Sequence, residues 1–334
     1  MVIRDLVGDA TLAFLAARTP APVPTYPLPP IGKRVVHAGP RTARANGITL
    51  EYDTFGERGD PPLLLVMGLA GQMVAWDEAF CTRLAARGFR VIRFDNRDIG
   101  RSTWLDHEPV PNAVALGRAI RKGLPVRVPY RLDDMADDAV GLLDALEIGS
   151  AHVVGISMGG MIAQTMAMRA PGRVRTLTSV MSHTGERDLP HPHWRATAML
   201  FVPAPRDRET YLRRAVLTWR ILNGPRMAVD EARTRAAAAL AFDRGIHPAG
   251  VGRQLAAILA GEPRVEGLRA LTLPTLVIHG DQDPLVPLEG GRRTAAAVPG
   301  AHLEIIEGMG HALPPPLWER IIDRLVAHTG EGRG

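Results

Sequence analysis

The sequence contains a single cysteine, Cys81, among its 334 residues. One thiol cannot form an intrachain disulfide, and a zinc site built on several cysteines is excluded as well. Cys81 lies in the segment DEAFCTRLAARG, which has a helical pattern and no accompanying redox motif. We therefore expect a buried structural thiol.

Lysine is nearly absent from the chain. Only Lys33 and Lys122 occur, and arginine supplies the rest of the positive charge, for a formal net charge of +5. The arginines stand in small groups separated by neutral stretches, and they do not alternate with aromatic residues as a nucleic-acid-binding face requires. We expect a solvated surface and no nucleic-acid partner.

Long apolar runs are also missing. No stretch of 18 apolar residues occurs, so no transmembrane segment is predicted. The stretch LVGDATLAFLAA contains Asp9 and lacks the basic start of a secretory signal, which favours a cytoplasmic location. Six prolines follow between Pro20 and Pro30. We interpret residues 1–44 as a short amphipathic helix and an extended arm, packed on the protein body or in peripheral contact with a membrane.

Strand and helix patterns alternate from Ile48 onward, beginning with an edge-like strand in ITLEYDTFG. PPLLLVMG and AHVVGIS are continuous apolar runs, typical of strands buried on both faces of a parallel sheet. The alternation stops near His183 and resumes with PTLVIHG. We predict an α/β fold with a mostly parallel sheet and helices on both faces. Its core would comprise residues 45–182 and 269–334, with residues 183–268 as an inserted helical cap.

A serine stands where a predicted strand meets a predicted helix. GISMG, Gly155 to Gly159, fits the pattern G-x-S-x-G of a nucleophile elbow in its expected context. The sharp turn would lift the hydroxyl of Ser157 above the sheet, and a Cβ at either flanking glycine would collide with neighbouring backbone. We therefore predict that Ser157 is a nucleophile.

A serine nucleophile needs a base and a carboxylate that orients the base. His311 follows a predicted strand in EGMGHALP, on the same side of the sheet as Ser157. In HGDQDPLVP, both Asp281 and Asp283 follow the preceding strand. We favour Asp283, because the proline after it restricts its backbone, and we assign Asp281 a capping role. His279 is interpreted as a packed strand residue.

An oxyanion hole is the remaining requirement. The backbone N–H of Met158, the residue after the nucleophile, is the first expected donor. The second is the N–H of Leu69, in a loop that Gly68 allows to approach closely.

These separated segments, together with FDNRDIGRS, resemble the α/β-hydrolase family over roughly residues 45–330. The run from LLLVMGLAGQ to GRST and the GMGHALP segment are similar to the aclacinomycin methylesterase-like branch and its lipase and esterase relatives. The resemblance implies the same nucleophile, acid, base and oxyanion donors. Many members carry His-Gly where this chain has Met67-Gly68, so a hydrogen bond from that histidine is lost.

The motifs predict a serine hydrolase that cleaves carboxylic esters through an acyl-enzyme, as a carboxylesterase, lipase-like enzyme or methylesterase acting on hydrophobic small molecules. Neither metal nor organic cofactor is required. A thioesterase, amidase, C–C bond hydrolase or perhydrolase would keep the same triad, and a small-molecule receptor without activity is a more remote alternative. Oligomeric state is not predicted. We expect substrate-binding residues in the cap and beside the nucleophile: Gly68, Trp194, Phe201, Trp219 and Leu222.

Overall fold

A computed structural model describes residues 31–32, 34–202 and 204–331, although not the side chains of Phe201 and Glu331. Eight strands form one sheet in the order β1-β2-β4-β3-β5-β6-β7-β8, in which β1, β2 and β4 pair antiparallel and the remaining pairs are parallel. The strands are β1 (His37–Ala45), β2 (Ile48–Phe55), β3 (Pro62–Val66), β4 (Arg90–Phe94), β5 (Ala151–Ile156), β6 (Val174–Val180), β7 (Thr275–Gly280) and β8 (His302–Ile306).

Helices cover both faces of this sheet. In the described residues they are α1 (Glu78–Ala86), α2 (Ala113–Arg121), α3 (Leu132–Ala145), α4 (Met158–Arg169), α5 (Trp194–Phe201), α6 (Arg208–Leu222), α7 (Glu231–Arg244), α8 (Pro248–Leu259), α9 (Val265–Arg269), α10 (Leu288–Ala297) and α11 (Trp318–Glu331). The five helices α5 to α9 lie between β6 and β7, in the region predicted to form the cap. None of the helices in these ranges is both long and apolar enough to cross a bilayer.

The central strand β3 shows why its apolar run is continuous. Leu63 and Leu65 belong to the core layer that includes residues of α1 and α11. Leu64 and Val66 belong to the opposite layer, which includes residues of α3 and α4. Because successive side chains of a strand point to opposite faces, a strand covered on both sides must be apolar at every position.

The sheet begins earlier than the sequence suggested. Residues 37–44, predicted as part of the arm, lie in β1 and pair with β2. Its sequence, HAGPRTARA, has no apolar alternation because the strand is largely exposed and is held mainly by backbone pairing. ITLEYDTFG is therefore an inner strand, which corrects its prediction as an edge. The predicted helix and Pro-rich arm in residues 1–30 lie outside the described residues.

Helix α2 was also missing from the prediction. It begins after Asn112, whose side chain accepts a hydrogen bond from the N–H of Ala115 at 2.9 Å, and it packs on α8. Of its nine residues only Leu116 is buried, so the core gives little signal for this short helix. Cys81 is fully buried in α1, as expected, and burial raises the pKa of its thiol to about 12.

Candidate active site

Ser157 occupies the junction between β5 and α4, with φ 54° and ψ −119°. This backbone conformation with positive φ is one that residues other than glycine adopt at a cost in strain. The Ser157 N–H donates to the carbonyl of Val180 in β6 at 2.9 Å, and the Ser157 carbonyl accepts from Gly160 at 2.9 Å. The strained turn is therefore fixed on both sides by backbone hydrogen bonds.

The two glycines of GISMG are required by close packing. A Cβ at Gly155 would overlap with the carbonyl of Gly159, and a Cβ at Gly159 would overlap with the carbonyl of Val66 in β3. The turn thus presses helix α4 against the end of the neighbouring strand. Only a residue without a side chain fits at either position.

His311 lies in the loop after β8 and is 7% exposed. Its Nδ1 forms a 2.8 Å hydrogen bond with Oδ2 of Asp283, which follows β7. Its backbone N–H donates to the carbonyl of Leu222 at the end of α6, at 2.6 Å. The base candidate is therefore fixed through its ring by the loop of Asp283 and through its backbone by the end of α6.

Asp283 is the carboxylate that the structure brings to His311. Its Oδ1 accepts hydrogen bonds from the backbone N–H groups of Leu285 and Val286, each at 2.8 Å. Asp281 instead accepts the N–H of Gly308 at 2.6 Å and so ties the turn after β7 to the end of β8. The two neighbouring aspartates therefore have different partners, one a histidine ring and the other a backbone turn.

Two more histidines lie near the acid loop. The Nε2 of His279, a buried residue of β7, hydrogen-bonds to the carbonyl of Val286 at 2.8 Å, and burial lowers its pKa. Burial, followed by the nearby charge of Arg264, lowers the pKa of His183 to about 4. Both rings are therefore neutral near pH 7, and His311 is the histidine whose ring contacts Asp283 most closely.

The loop after β3 lies against the nucleophile candidate. A Cβ at Gly68 would stand 3.2 Å from Cβ and 3.7 Å from Oγ of Ser157, so the glycine allows the backbone to approach the hydroxyl. Leu69 follows in this loop. Met158 is the first residue of α4, where a backbone N–H has no acceptor within the helix. Both predicted donors thus belong to segments that meet at Ser157.

The predicted pocket residues of the cap occupy different environments. Leu222 is half-buried, and its carbonyl binds the His311 backbone. Trp194 is 58% exposed and Trp219 is 37% exposed, so neither tryptophan is enclosed. Phe201 is the last residue of α5, and its side chain lies outside the described atoms. Leu222 is therefore the one of these three residues with a hydrogen bond to a member of the predicted triad.

Sequence reasoning missed two glutamines that hold the loop after β3. Gln254 of α8 accepts a hydrogen bond from the N–H of Ala70, and Gln72 donates to carbonyls at the end of α7. Gln254 is fully buried in the apolar context RQLAAIL. Gln254 stands between Arg253 and the apolar run LAAIL, so the sequence alone does not distinguish it from an ordinary polar residue of a helix.

Comparison with known proteins agrees with this architecture. The family model of the alpha/beta hydrolase fold matches residues 61–314. Rhodomycin D methylesterase DauP of Streptomyces sp. strain C5 is 33% identical over 305 residues, which cover 84% of this chain and 95% of that protein. Rhodomycin D methylesterase DnrP of Streptomyces peucetius is 34% identical over 308 residues, with the same coverage.

A solved structure with a similar fold is the meta-cleavage product hydrolase CumD of Pseudomonas fluorescens. It has a TM-score of 0.66 and 22% identity, covering 88% of this chain and 98% of that one. The chain belongs to the α/β-hydrolase family. The predicted fold class, the resemblance to the methylesterase branch and the assignment as a carboxylic ester hydrolase are confirmed.

Proposed function

We propose that this protein is a serine esterase that hydrolyses its ester through an acyl-enzyme, with Ser157 as nucleophile, His311 as general base and Asp283 as the orienting acid. The observation that carries the proposal is the 2.8 Å hydrogen bond between His311 and Asp283. This hydrogen bond lies at the edge of the sheet where β5 ends before the strained Ser157 and where β7 and β8 also end. Parallel strands place their carboxyl ends at one edge, where ligands of such sheets bind.

In the first step His311 takes the proton from the Ser157 hydroxyl as its oxygen attacks the ester carbonyl. The Nδ1–H of His311 donates to Asp283, which leaves Nε2 as the nitrogen that accepts the proton. The backbone N–H groups of Leu285 and Val286 hold Oδ1 of Asp283, which leaves Oδ2 to accept the hydrogen bond from His311. The backbone N–H groups of Leu69 and Met158 receive the oxyanion of the tetrahedral intermediate.

In the second half His311 returns the proton to the leaving alkoxide, and the alcohol departs. Water then attacks the acyl-enzyme with His311 again as base, which releases the carboxylic acid and restores the Ser157 hydroxyl. No metal or organic cofactor takes part in this scheme.

We propose a methyl ester of a hydrophobic carboxylic acid as the substrate. Two relatives that are 33% and 34% identical over 84% of the chain are methylesterases of rhodomycin D. Ala196 and Ile221 form a buried apolar cluster against which Leu222 and Leu285 pack, and the backbones of these two leucines bond to His311 and Asp283. Apolar residues next to the acid and the base favour an apolar substrate body over a charged one.

The test uses Ser157→Ala with p-nitrophenyl acetate and with methyl esters of aromatic and aliphatic acids. We expect at least about a 10⁴-fold loss of turnover and no burst of p-nitrophenol, with an unchanged thermal unfolding midpoint. Undiminished turnover in the variant would exclude Ser157 as nucleophile. Wild-type turnover of thioesters, amides or ring-cleavage products above that of every ester would identify a different scissile bond on the same triad.

A further inference from the structure

The turn that carries Leu69 is held from outside by the cap. Gln254 of α8 is fully buried, and its Oε1 accepts a hydrogen bond from the N–H of Ala70 at 3.1 Å. Its Nε2 donates to the carbonyl of Arg97, in the loop after β4, at 3.0 Å. One side chain of the cap therefore joins the loops that follow two neighbouring strands of the core.

Ala70 needs such support because its backbone is strained. The N–H of Gly71 donates to the carbonyl of Gly68 at 3.2 Å, which closes a tight turn around Leu69 and Ala70. Ala70 has φ 62°, a left-handed value that an alanine adopts only when its surroundings stabilise it. The hydrogen bond to Gln254 fixes the peptide between Leu69 and Ala70 and so favours this form of the turn.

A second glutamine holds the far end of the same turn. The Nε2 of Gln72 donates to the carbonyls of Ala241 and Gly245, each at 2.8 Å, and its Oε1 accepts from Nε of Arg244 at 2.8 Å. Arg244 in turn forms buried ion pairs with Glu51 and Asp95. The junction of α7 and α8 is therefore anchored in the core beside the turn.

Asp95 extends this anchor to the residue after Gln72. Its Oδ1 accepts the N–H of Met73 at 2.6 Å, and its Oδ2 accepts the N–H of Arg101 at 2.9 Å. Ala70, Gln72 and Met73 are thus hydrogen-bonded either to the segment from α7 to α8 or to a carboxylate that pairs with Arg244 of α7.

We propose that Gln254 is a positioning residue for ester hydrolysis, which holds the turn so that the Leu69 N–H meets the developing oxyanion. This inference rests on the proposed function, because it requires Leu69 to be an oxyanion donor. It follows that the position of α8 on the core determines the geometry of the oxyanion hole. Loss of Gln254 therefore weakens binding of the transition state more than binding of the substrate.

The experiment replaces Gln254 with methionine, which keeps the length of the side chain and removes both hydrogen bonds. Complete loss of one oxyanion donor costs about 10²–10³ in rate, and loss of its support costs less. We expect kcat for p-nitrophenyl acetate to fall about 10- to 100-fold, with KM changed by less than about threefold. The inhibition constant of an aryl trifluoromethyl ketone, which forms a tetrahedral adduct with a nucleophilic serine, should rise by the same factor as kcat/KM falls.

Gln164→Met is the matched control. Gln164 is equally buried, and it too loses two hydrogen bonds, one to Oγ of Ser179 and one from Nε of Arg264. Its side-chain hydrogen bonds do not involve the Leu69 turn, so kcat should stay within about threefold of wild type while the unfolding midpoint falls. An unchanged kcat in Gln254→Met, or an equal loss in both variants, would overturn the proposal.

A second variant covers the case in which Gln254→Met fails to fold. In Gln254→Glu a protonated carboxyl can still accept from Ala70 and donate to Arg97, whereas the ionised form has lost the donor. Burial raises the pKa of such a carboxyl. The ratio of its kcat to that of wild type should therefore rise as the pH is lowered from 9 to 6, and a flat ratio would contradict the role.

Failure of the proposed function would look different. If Ser157→Ala retained ester hydrolysis, the mechanism itself would be wrong, whatever Gln254→Met did. If Ser157→Ala were inactive and Gln254→Met behaved as wild type, only the positioning role would be refuted.

Discussion

Replacing Asp283 with asparagine exchanges one carboxylate oxygen for an amide NH₂ without changing the shape of the side chain. Two backbone donors, the N–H groups of Leu285 and Val286, converge on Oδ1 at 2.8 Å each. An NH₂ group facing them would place three donors together, so the amide must turn its oxygen towards them. Its NH₂ then faces Nδ1 of His311, where Oδ2 lay at 2.8 Å.

The consequence is an inverted imidazole tautomer. Facing a donor, Nδ1 of His311 must become the acceptor, and the ring proton moves to Nε2, the nitrogen that has to accept the proton of Ser157. In a Ser-His-Asp site this inversion costs about 10⁴ in kcat, which corresponds to about 5.5 kcal/mol of transition-state stabilisation. The fold retains both backbone hydrogen bonds, so the free energy of unfolding should fall by less than about 2 kcal/mol.

The assay is the steady-state hydrolysis of p-nitrophenyl acetate together with urea unfolding of the same preparations. Asp281→Asn is the control, because the Asp281 carboxylate accepts the Gly308 N–H and the amide oxygen of asparagine can do the same. We expect the control to keep kcat within about threefold. A loss of less than tenfold in Asp283→Asn would refute the assignment of Asp283 as the orienting acid.

Two further predictions concern stability. Gly159→Ala places a Cβ onto the carbonyl of Val66 and should destabilise the fold by about 3 kcal/mol or more. The control, Gly149→Ala, has open space around the new Cβ and should change the urea midpoint little. Similar urea midpoints for the two variants would contradict the packing argument. Burial lowers the pKa of His183 from 6.5 to about 4 in the folded protein. Between these two pH values the unfolded chain binds a proton that the folded chain does not bind, so stability is lost as the pH falls from about 6.5 towards 4. In the wild type the N–H of Gly185 donates to Nδ1 of His183 at 2.9 Å, and the side-chain oxygen of asparagine can accept the same hydrogen bond. His183→Asn should therefore flatten the pH dependence of the unfolding free energy over that range. An unchanged pH dependence would exclude His183 as its cause.

Most of the sheet was predictable because burial leaves a pattern in the sequence. Strands covered on both faces must be apolar at each position, and PPLLLVMG and AHVVGIS show this directly. Strand β1 left no such pattern, because it is mostly exposed and pairs through its backbone. Helix α2 was missed because it is only nine residues long and buries only Leu116, so its local pattern is too short to stand out from the loop around it.

The candidate triad could be predicted because each member follows a strand and lies near a glycine or a proline. The choice between Asp281 and Asp283 rested on a proline alone, and the structure adds a hydrogen bond that distinguishes them. Gln254 left no comparable sign. Its role depends on contacts 184 and 157 residues away in the chain, and no local pattern encodes these.

The most direct test of the mechanism is covalent labelling with a fluorophosphonate, located by peptide mass spectrometry. We expect one adduct per chain on the peptide that contains Ser157, and a labelling rate reduced at least 100-fold in His311→Ala. An adduct on a different residue, or labelling at the same rate without His311, would contradict the activation of Ser157 by this histidine.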